Sequence, residues 1–235
     1  MQDKLLDIVI VSYAKDDYCK ELTRKCITSL FLSERMAHEM FNVIVVESEP
    51  GVKWEHMADY VTTYDAPLPY GYHKFLNFGR KKGNSSWVAL CNNDLEFKPN
   101  WFTSILKAAE AFPQFVSFSP ICPKTQSLYG IYENTGLIKG YEIRKHISGW
   151  CIVHKRQIYE VIGDLDERFQ HWFCDNDYAM ELAKNNLEHA LVTDSVVIHH
   201  DKNIGKTTER VIKDYDLMHK MTSGSYPLFK EKWNL

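Results

Sequence analysis

Apolar residues fall along this chain in short unbroken runs separated by stretches with helical spacing. Asp7–Val11 is a β-branched run of the kind that forms a strand buried on both faces. Asp16 or Asp17 is placed to cap a helix running to about Ser33. Phe41–Val46 is a second buried strand, and Lys53–Val61 reads as helical. Tyr70–Lys82 is a further helix, stopped by Gly83. Trp87–Cys91 is a third strand. Pro99 is tolerated in a first turn and opens a helix to about Phe112, and Phe115–Ser119 is a fourth strand. Near-continuous apolar strands alternating with helices predict an α/β fold, with a mostly parallel sheet covered on both sides.

The second half changes character. Leu128–Ile143 has the spaced glycines and short alternation of hairpins. Ile152–Ile162 and Asp175–Asn185 read as helices, Ala190–Val192 and Val196–His199 as strands, and Thr207–Thr222 as an amphipathic closing helix. No repeat, low-complexity tract or linker divides the chain. One domain of 235 residues is expected, with a first half to about residue 120, a second over about 121–206 and a tail over 207–235.

Composition narrows this without redirecting it. Hydrophobic residues are 45% and charged residues 25%, a globular balance. The net charge of −3 offers no basic field for nucleic acid. Arg80-Lys81-Lys82 and Lys155-Arg156 read as solvated faces or helix ends. The six cysteines include no C-x-x-C pair, which argues against a zinc knuckle, and several sit in apolar runs as reduced thiols do. With no signal-peptide pattern at Met1-Gln2-Asp3-Lys4 and no membrane-length apolar run, a soluble cytoplasmic protein is expected.

In such sheets ligands bind beyond the carboxyl ends of the strands. That points to Ser12-Tyr13, to Glu47-Ser48-Glu49 and to Asn92-Asn93-Asp94. Asp94, presented at a strand end with the two amides of Asn92 and Asn93, suits a hard divalent cation against a diphosphate, although Asn and Asp also favour plain turns. Between Gly163 and Tyr178, five carboxylates fall within fourteen residues among aromatic rings. A carboxylate there suits a general base for a sugar hydroxyl, with helix capping by Asp175 as the plainer alternative. Val197-Ile198-His199-His200 ends a strand in two imidazoles, either of which suits a metal, though such a pair is more often structural. In Ser148-Gly149-Trp150 the glycine permits close backbone approach and the indole offers a stacking face, or the segment is a turn beside a core tryptophan.

Taken in order, these segments resemble the family-2 glycosyltransferases of the GT-A fold from Asp7 to about His200. The carriers are Ile8–Ala14, Glu47 after Val45-Val46, Asn77-Phe78-Gly79, Asn92-Asn93-Asp94, Ser148–Arg156, Gly163–Tyr178 and Val197–His200. The resemblance implies a mixed, mostly parallel sheet flanked by helices and a Rossmann-like site for a nucleotide-diphospho-sugar. It implies Mn2+ or Mg2+ on Asp94 with His199 or His200, and nucleotide contacts from Ser12, Tyr13, Glu47, Asn77, Asn92 and Asn93. It implies acceptor contacts from Gly149, Trp150, Trp172 and Asp177, with Asp175 as the catalytic base. The expected activity is inverting, metal-dependent transfer of a sugar, from a UDP- or dTDP-linked donor by preference, to a hydroxyl, most simply of a glycan. Two positions depart from the pattern. Asn92 stands where the metal motif usually has its first acid, and Cys174 where a Glu usually precedes the base. A degenerate, sugar-nucleotide-binding module is therefore kept as an alternative; a modified nucleic-acid base as acceptor is a minority alternative, compatible with a short chain without a membrane segment and opposed by the acidic net charge. A nucleotidyltransferase ranks lower, because Ser12-Tyr13-Ala14-Lys15 lacks the glycines of a phosphate loop.

Overall fold

A computed structural model of the chain describes residues 4–200 and 215–235. Nine strands form one mixed sheet: β1 (Leu6–Ser12), β2 (Phe41–Glu47), β3 (Val61–Asp65), β4 (Trp87–Asn92), β5 (Leu95–Phe97), β6 (Phe115–Ile121), β7 (Leu137–Lys139), β8 (Cys151–Lys155) and β9 (Glu188–His199). Their order is β3-β2-β1-β4-β8-β6-β9-β5, with β7 also on β9. The long helices are α1 (Asp17–Ser33), α2 (Tyr72–Arg80), α3 (Trp101–Ala111), α4 (Cys174–Lys184) and α5 (Tyr215–Trp233). No helix among the described residues is long and apolar enough to cross a membrane.

Local chemistry explains most boundaries. Asp16 caps α1 by accepting a hydrogen bond from the Cys19 N–H at 2.8 Å. The Glu34 carboxylate, just past α1, accepts from the Phe102 and Thr103 N–H groups at 2.8 and 3.0 Å and so caps α3. That helix starts at Trp101, after Pro99 rather than on it. Asp7 is fully buried in β1. It is accommodated because the Ser85 N–H and Oγ, the Asn42 amide and the Arg156 guanidinium all donate to it.

Four sequence expectations are corrected. Lys53–Val61 holds only a 3-10 turn at Glu55–Met57, and Val61 opens β3, parallel to β2. The Glu55 carboxylate takes the Thr63 N–H and hydroxyl, tying that turn to the strand. Ile152–Ile162 is β8 followed by a short helix at Tyr159–Ile162. A short apolar run reads alike as buried helix or buried strand, and its place between β4 and β6 decided. Leu128–Ile143 forms no hairpin, because β7 pairs with distant β9. The two late strands are one, β9, with Ile121 facing Val196 directly after Pro120 faces Val192. Residues 207–214 of the expected closing helix lie outside the described residues; from Tyr215 the helix α5 runs to Trp233, well past Thr222.

The topology places the site. Strands β1, β2, β4, β6 and β9 all run one way, and β8 runs against them. Ser12, Glu47, Asn92–Asp94 and His199 therefore end on one sheet edge, the edge from which Gly149-Trp150 leads into β8. The sheet draws strands from both halves of the chain.

Candidate active site

Beyond β4 the three motif residues have different surroundings. The Asn92 side-chain oxygen accepts from the Tyr72 hydroxyl at 2.8 Å. The Asn93 amide donates to the Thr23 hydroxyl at 2.8 Å, and that hydroxyl shares a 2.9 Å bond with Ser12. Asp94 is buried, and its Oδ1 has no hydrogen-bond partner. The nearest imidazole nitrogen, His199 Nε2, lies 3.3 Å from it without hydrogen-bond alignment. Burying an unpaired carboxylate oxygen is costly unless a ligand completes it.

This donor set fits a divalent cation. Among the described residues no group of three or more His, Cys, Asp or Glu side chains converges on one point. Mg2+ and similar ions are commonly held by one or two protein carboxylates, with phosphate oxygens filling the shell. Of the two expected histidines, His199 is the one beside Asp94. His200 turns to Glu96, with Nε2 2.9 Å from Oε2. The His199 ring is flanked by Trp150, stacked at 5.5 Å and 18°.

The expected nucleotide contacts divide by burial. Tyr13 is 37% exposed at the end of β1. Glu47 is buried and fully engaged, accepting from the Ala14 and Glu49 N–H groups at 2.9 Å each and from the Trp54 indole at 3.0 Å. It shapes the loops after β1 and β2. Asn77 is an internal latch: its amide donates to the Leu165 carbonyl at 2.8 Å and to Glu167 at 3.0 Å, while its oxygen accepts from the Leu165 N–H at 3.0 Å. Ser12, Glu47 and Asn77 thus support the edge, and Tyr13 faces out from it.

Asp175 occupies the first turn of α4, directly over the Gly149 backbone. A Cβ on Gly149 would lie 2.6 Å from Asp175 Oδ2. Gly149 is thus an approach that only glycine permits. Around Asp175 a small cleft is walled by Tyr72, His73, Gly149, Ile152 and Cys174. Burial there pushes the Asp175 carboxyl above the usual range, opposed by the Asn176 N–H at 3.0 Å and by the charge of Arg144. The Arg144 backbone is left-handed, with φ of 69°. Cys174, in the place of the usual Glu, is buried, and its thiol donates to the Phe169 carbonyl.

Trp172 is 37% exposed, its ring edge-on to His171. Asp177, expected as an acceptor contact, faces inward. It is buried, and it accepts from Lys232 at 3.0 Å and from the Trp233 indole at 2.9 Å, both on α5. Sequence reading missed Tyr72, Thr23, Arg144 and Lys232. Nothing local marks them, since each acts on a residue far away along the chain.

No family model matches the chain, and no curated protein matches it in sequence. Solved structures match it in shape. One is the crystal structure of GalNAc-T7 with UDP, GalNAc and Mn2+, with a TM-score of 0.63 over 84% of this chain at 11% identity. The chain spans 44% of that protein's length. The likeness establishes the fold, a mixed α/β sheet flanked by helices of the GT-A type.

Proposed function

We propose that this protein is a metal-dependent, inverting glycosyltransferase that moves a sugar from a nucleotide diphosphate to an acceptor hydroxyl, with the family-2 enzymes as its model. The observation that carries the reading is a chain of contacts along one sheet edge. Asp94 lies beside His199, His199 is stacked on Trp150, and the neighbouring Gly149 abuts Asp175. A carboxylate suited to a cation and a half-buried, raised-pKa carboxylate thus stand at the two ends of one line of contacts along the strand ends of a GT-A fold. The structure of GalNAc-T7 with UDP and Mn2+ supports a UDP-linked donor by analogy.

Asp94 and His199 are the residues that would hold the ion, which when bound neutralises charge on the departing diphosphate. Asp175 accepts the acceptor's hydroxyl proton as that oxygen bonds to the anomeric carbon and the bond to the diphosphate breaks. Tyr72, Ile152 and Cys174 line the cleft beside that carboxylate. Burial brings the carboxyl nearer neutral pH, where a base is most effective. Exposed Tyr13 is the nucleoside contact in this reading, and Trp172 with the Gly149-Trp150 turn forms the acceptor side. Six free, buried cysteines fit a reducing compartment.

A second reading, a binding module without turnover, is favoured by one observation. Asn92 replaces an acid, and its side-chain oxygen is already taken by Tyr72. Thermal-shift measurements with UDP, dTDP and GDP, each with and without Mn2+, test the donor site. Release of UDP from UDP-sugars then separates enzyme from binder. No Mn2+-dependent shift with any nucleotide removes the proposal, and a shift without UDP release favours the module.

A further inference from the structure

Asp175 is presented by a turn that does not hold itself. Phe173, immediately before α4, has φ of 65°. A bulky L residue keeps that conformation only where its surroundings hold it. Its ring is covered by α5: Phe229 lies 5.1 Å and Tyr226 5.6 Å from it, centroid to centroid. Phe229 also meets Phe169, at 6.3 Å.

The same face of α5 fastens the next turn of α4. Tyr226, Phe229, Lys232 and Trp233 recur at three- and four-residue spacing, one stripe of a helix. Lys232 Nζ lies 2.8 Å from Asp177, 3.0 Å from Glu181 and 3.3 Å from Asp166. The Trp233 indole donates to Asp177 at 2.9 Å. One ammonium thus joins three carboxylates, two on α4 and one on the loop before it. Asp177 is only 2% exposed. Without Lys232 the buried Asp177 and its neighbour Glu181 would lose the cation between them, Asp166 alone keeping Arg168, and the turn carrying Asp175 would loosen.

We propose that α5 is a positioning clamp, in which Lys232, Trp233 and Phe229 hold the Phe173 turn and thereby set the position of Asp175. The inference rests on Asp175 being the base only for its consequence in catalysis. The clamp itself is read from the packing. Lys232 touches no substrate in this account and acts through Asp177.

The test uses the full chain with Lys232→Met and Lys232→Arg. Amide hydrogen exchange is followed at residues 174–178 and in β1 and β4. The Tm shift given by UDP with Mn2+ is measured, as is turnover of UDP-glucose and UDP-GalNAc. For Lys232→Met, exchange at residues 174–178 is expected to rise about tenfold or more, with β1 and β4 unchanged. The UDP shift and the donor KM stay as they were, kcat falls about tenfold or more, and Lys232→Arg recovers most of it. Unchanged exchange at 174–178 overturns the clamp, as does an equal rise in β1 and β4 or loss of the UDP shift. Should Lys232→Met not fold, Phe229→Leu loosens the same turn with the ion cluster intact and is judged by the same outcomes. If the unaltered chain turns over neither donor, the catalytic reading fails by itself, and exchange alone decides the clamp.

Discussion

The indole of Trp150 and the imidazole of His199 lie face to face, with centroids 5.5 Å apart and planes 18° from parallel. One residue precedes a strand running down the sheet, and the other ends a strand running up it. Their contact joins Asp94, the proposed cation ligand, to Gly149 and Asp175, the proposed base.

Asp94→Asn separates folding from function at the cation side. The substitution removes a buried charge whose Oδ1 has no hydrogen-bond partner, so the ligand-free protein is expected to melt no lower than the unaltered one. The Mn2+-dependent part of stabilisation by UDP should vanish, which at a hundredfold excess over Kd is about 2.7 kcal/mol. Calorimetry with UDP, with and without Mn2+, measures both. An undiminished Mn2+ effect would take Asp94 out of the site.

Gly149→Ala places a methyl group 2.6 Å from Asp175 Oδ2 and 2.8 Å from its Cβ. Either the carboxylate or the turn must give, at about 1–3 kcal/mol of stability. Turnover should fall roughly 10²-fold, because a displacement of about 1 Å in a reacting group is enough for that. Normal kcat in a folded Gly149→Ala protein would show that Asp175 need not sit over the glycine.

Asp175→Asn should lower turnover by roughly 10²–10⁴-fold while leaving UDP binding in place. Its pH dependence gives a finer check. The base works when ionised, burial raises its pKa and the Arg144 charge opposes that rise. Arg144→Gln removes the opposing charge. The acidic limb of the pH–rate profile should then move to higher pH, and a limb that stays or moves lower would contradict the assignment.

Buried neutral histidines make the fold acid-sensitive in a defined window. Burial holds His73 at about 4 and His154 and His189 at about 3. An unfolded chain protonates them near 6.5, so below that pH the unfolded state binds protons that the native state refuses. Stability is present above about pH 6.5 and is lost as pH falls toward 3–4, at about 1.4 kcal/mol per pH unit for each such group. Urea midpoints across this range should show the slope, and His154→Gln should flatten it by about one group's share. An unchanged slope would mean that His154 takes up a proton in the native state.

Legibility differed between the two halves of the site. Asn92-Asn93-Asp94 could be placed at a strand end because Trp87–Asn92 is a continuous apolar run with an abrupt polar finish. Asp16 was legible as a cap because capping is settled within three residues. β8 was not legible as a strand, since Cys151–Lys155 pairs with residues 35 to 68 positions earlier in the chain. Neither was the inward turn of Asp177, whose partners Lys232 and Trp233 lie more than fifty residues on. Asp175 and Asp177 look equivalent in sequence, yet one opens on a cleft and the other is sealed beneath α5.

The sequence by itself determined the strands β1, β2, β4 and β6, the cap of α1, the α/β class and the order of carboxylates and imidazoles that resembles a glycosyltransferase. Those are properties of neighbouring residues, and side-chain periodicity and backbone capping express them directly. Only the tertiary structure decided that His199 rather than His200 meets Asp94, that Glu47 and Asn77 are spent on the framework, and that Gly149 is the floor beneath Asp175. Those outcomes depend on which strands lie side by side and in which direction. That is set by burying both faces of the sheet at once, a condition that no local stretch of chain contains.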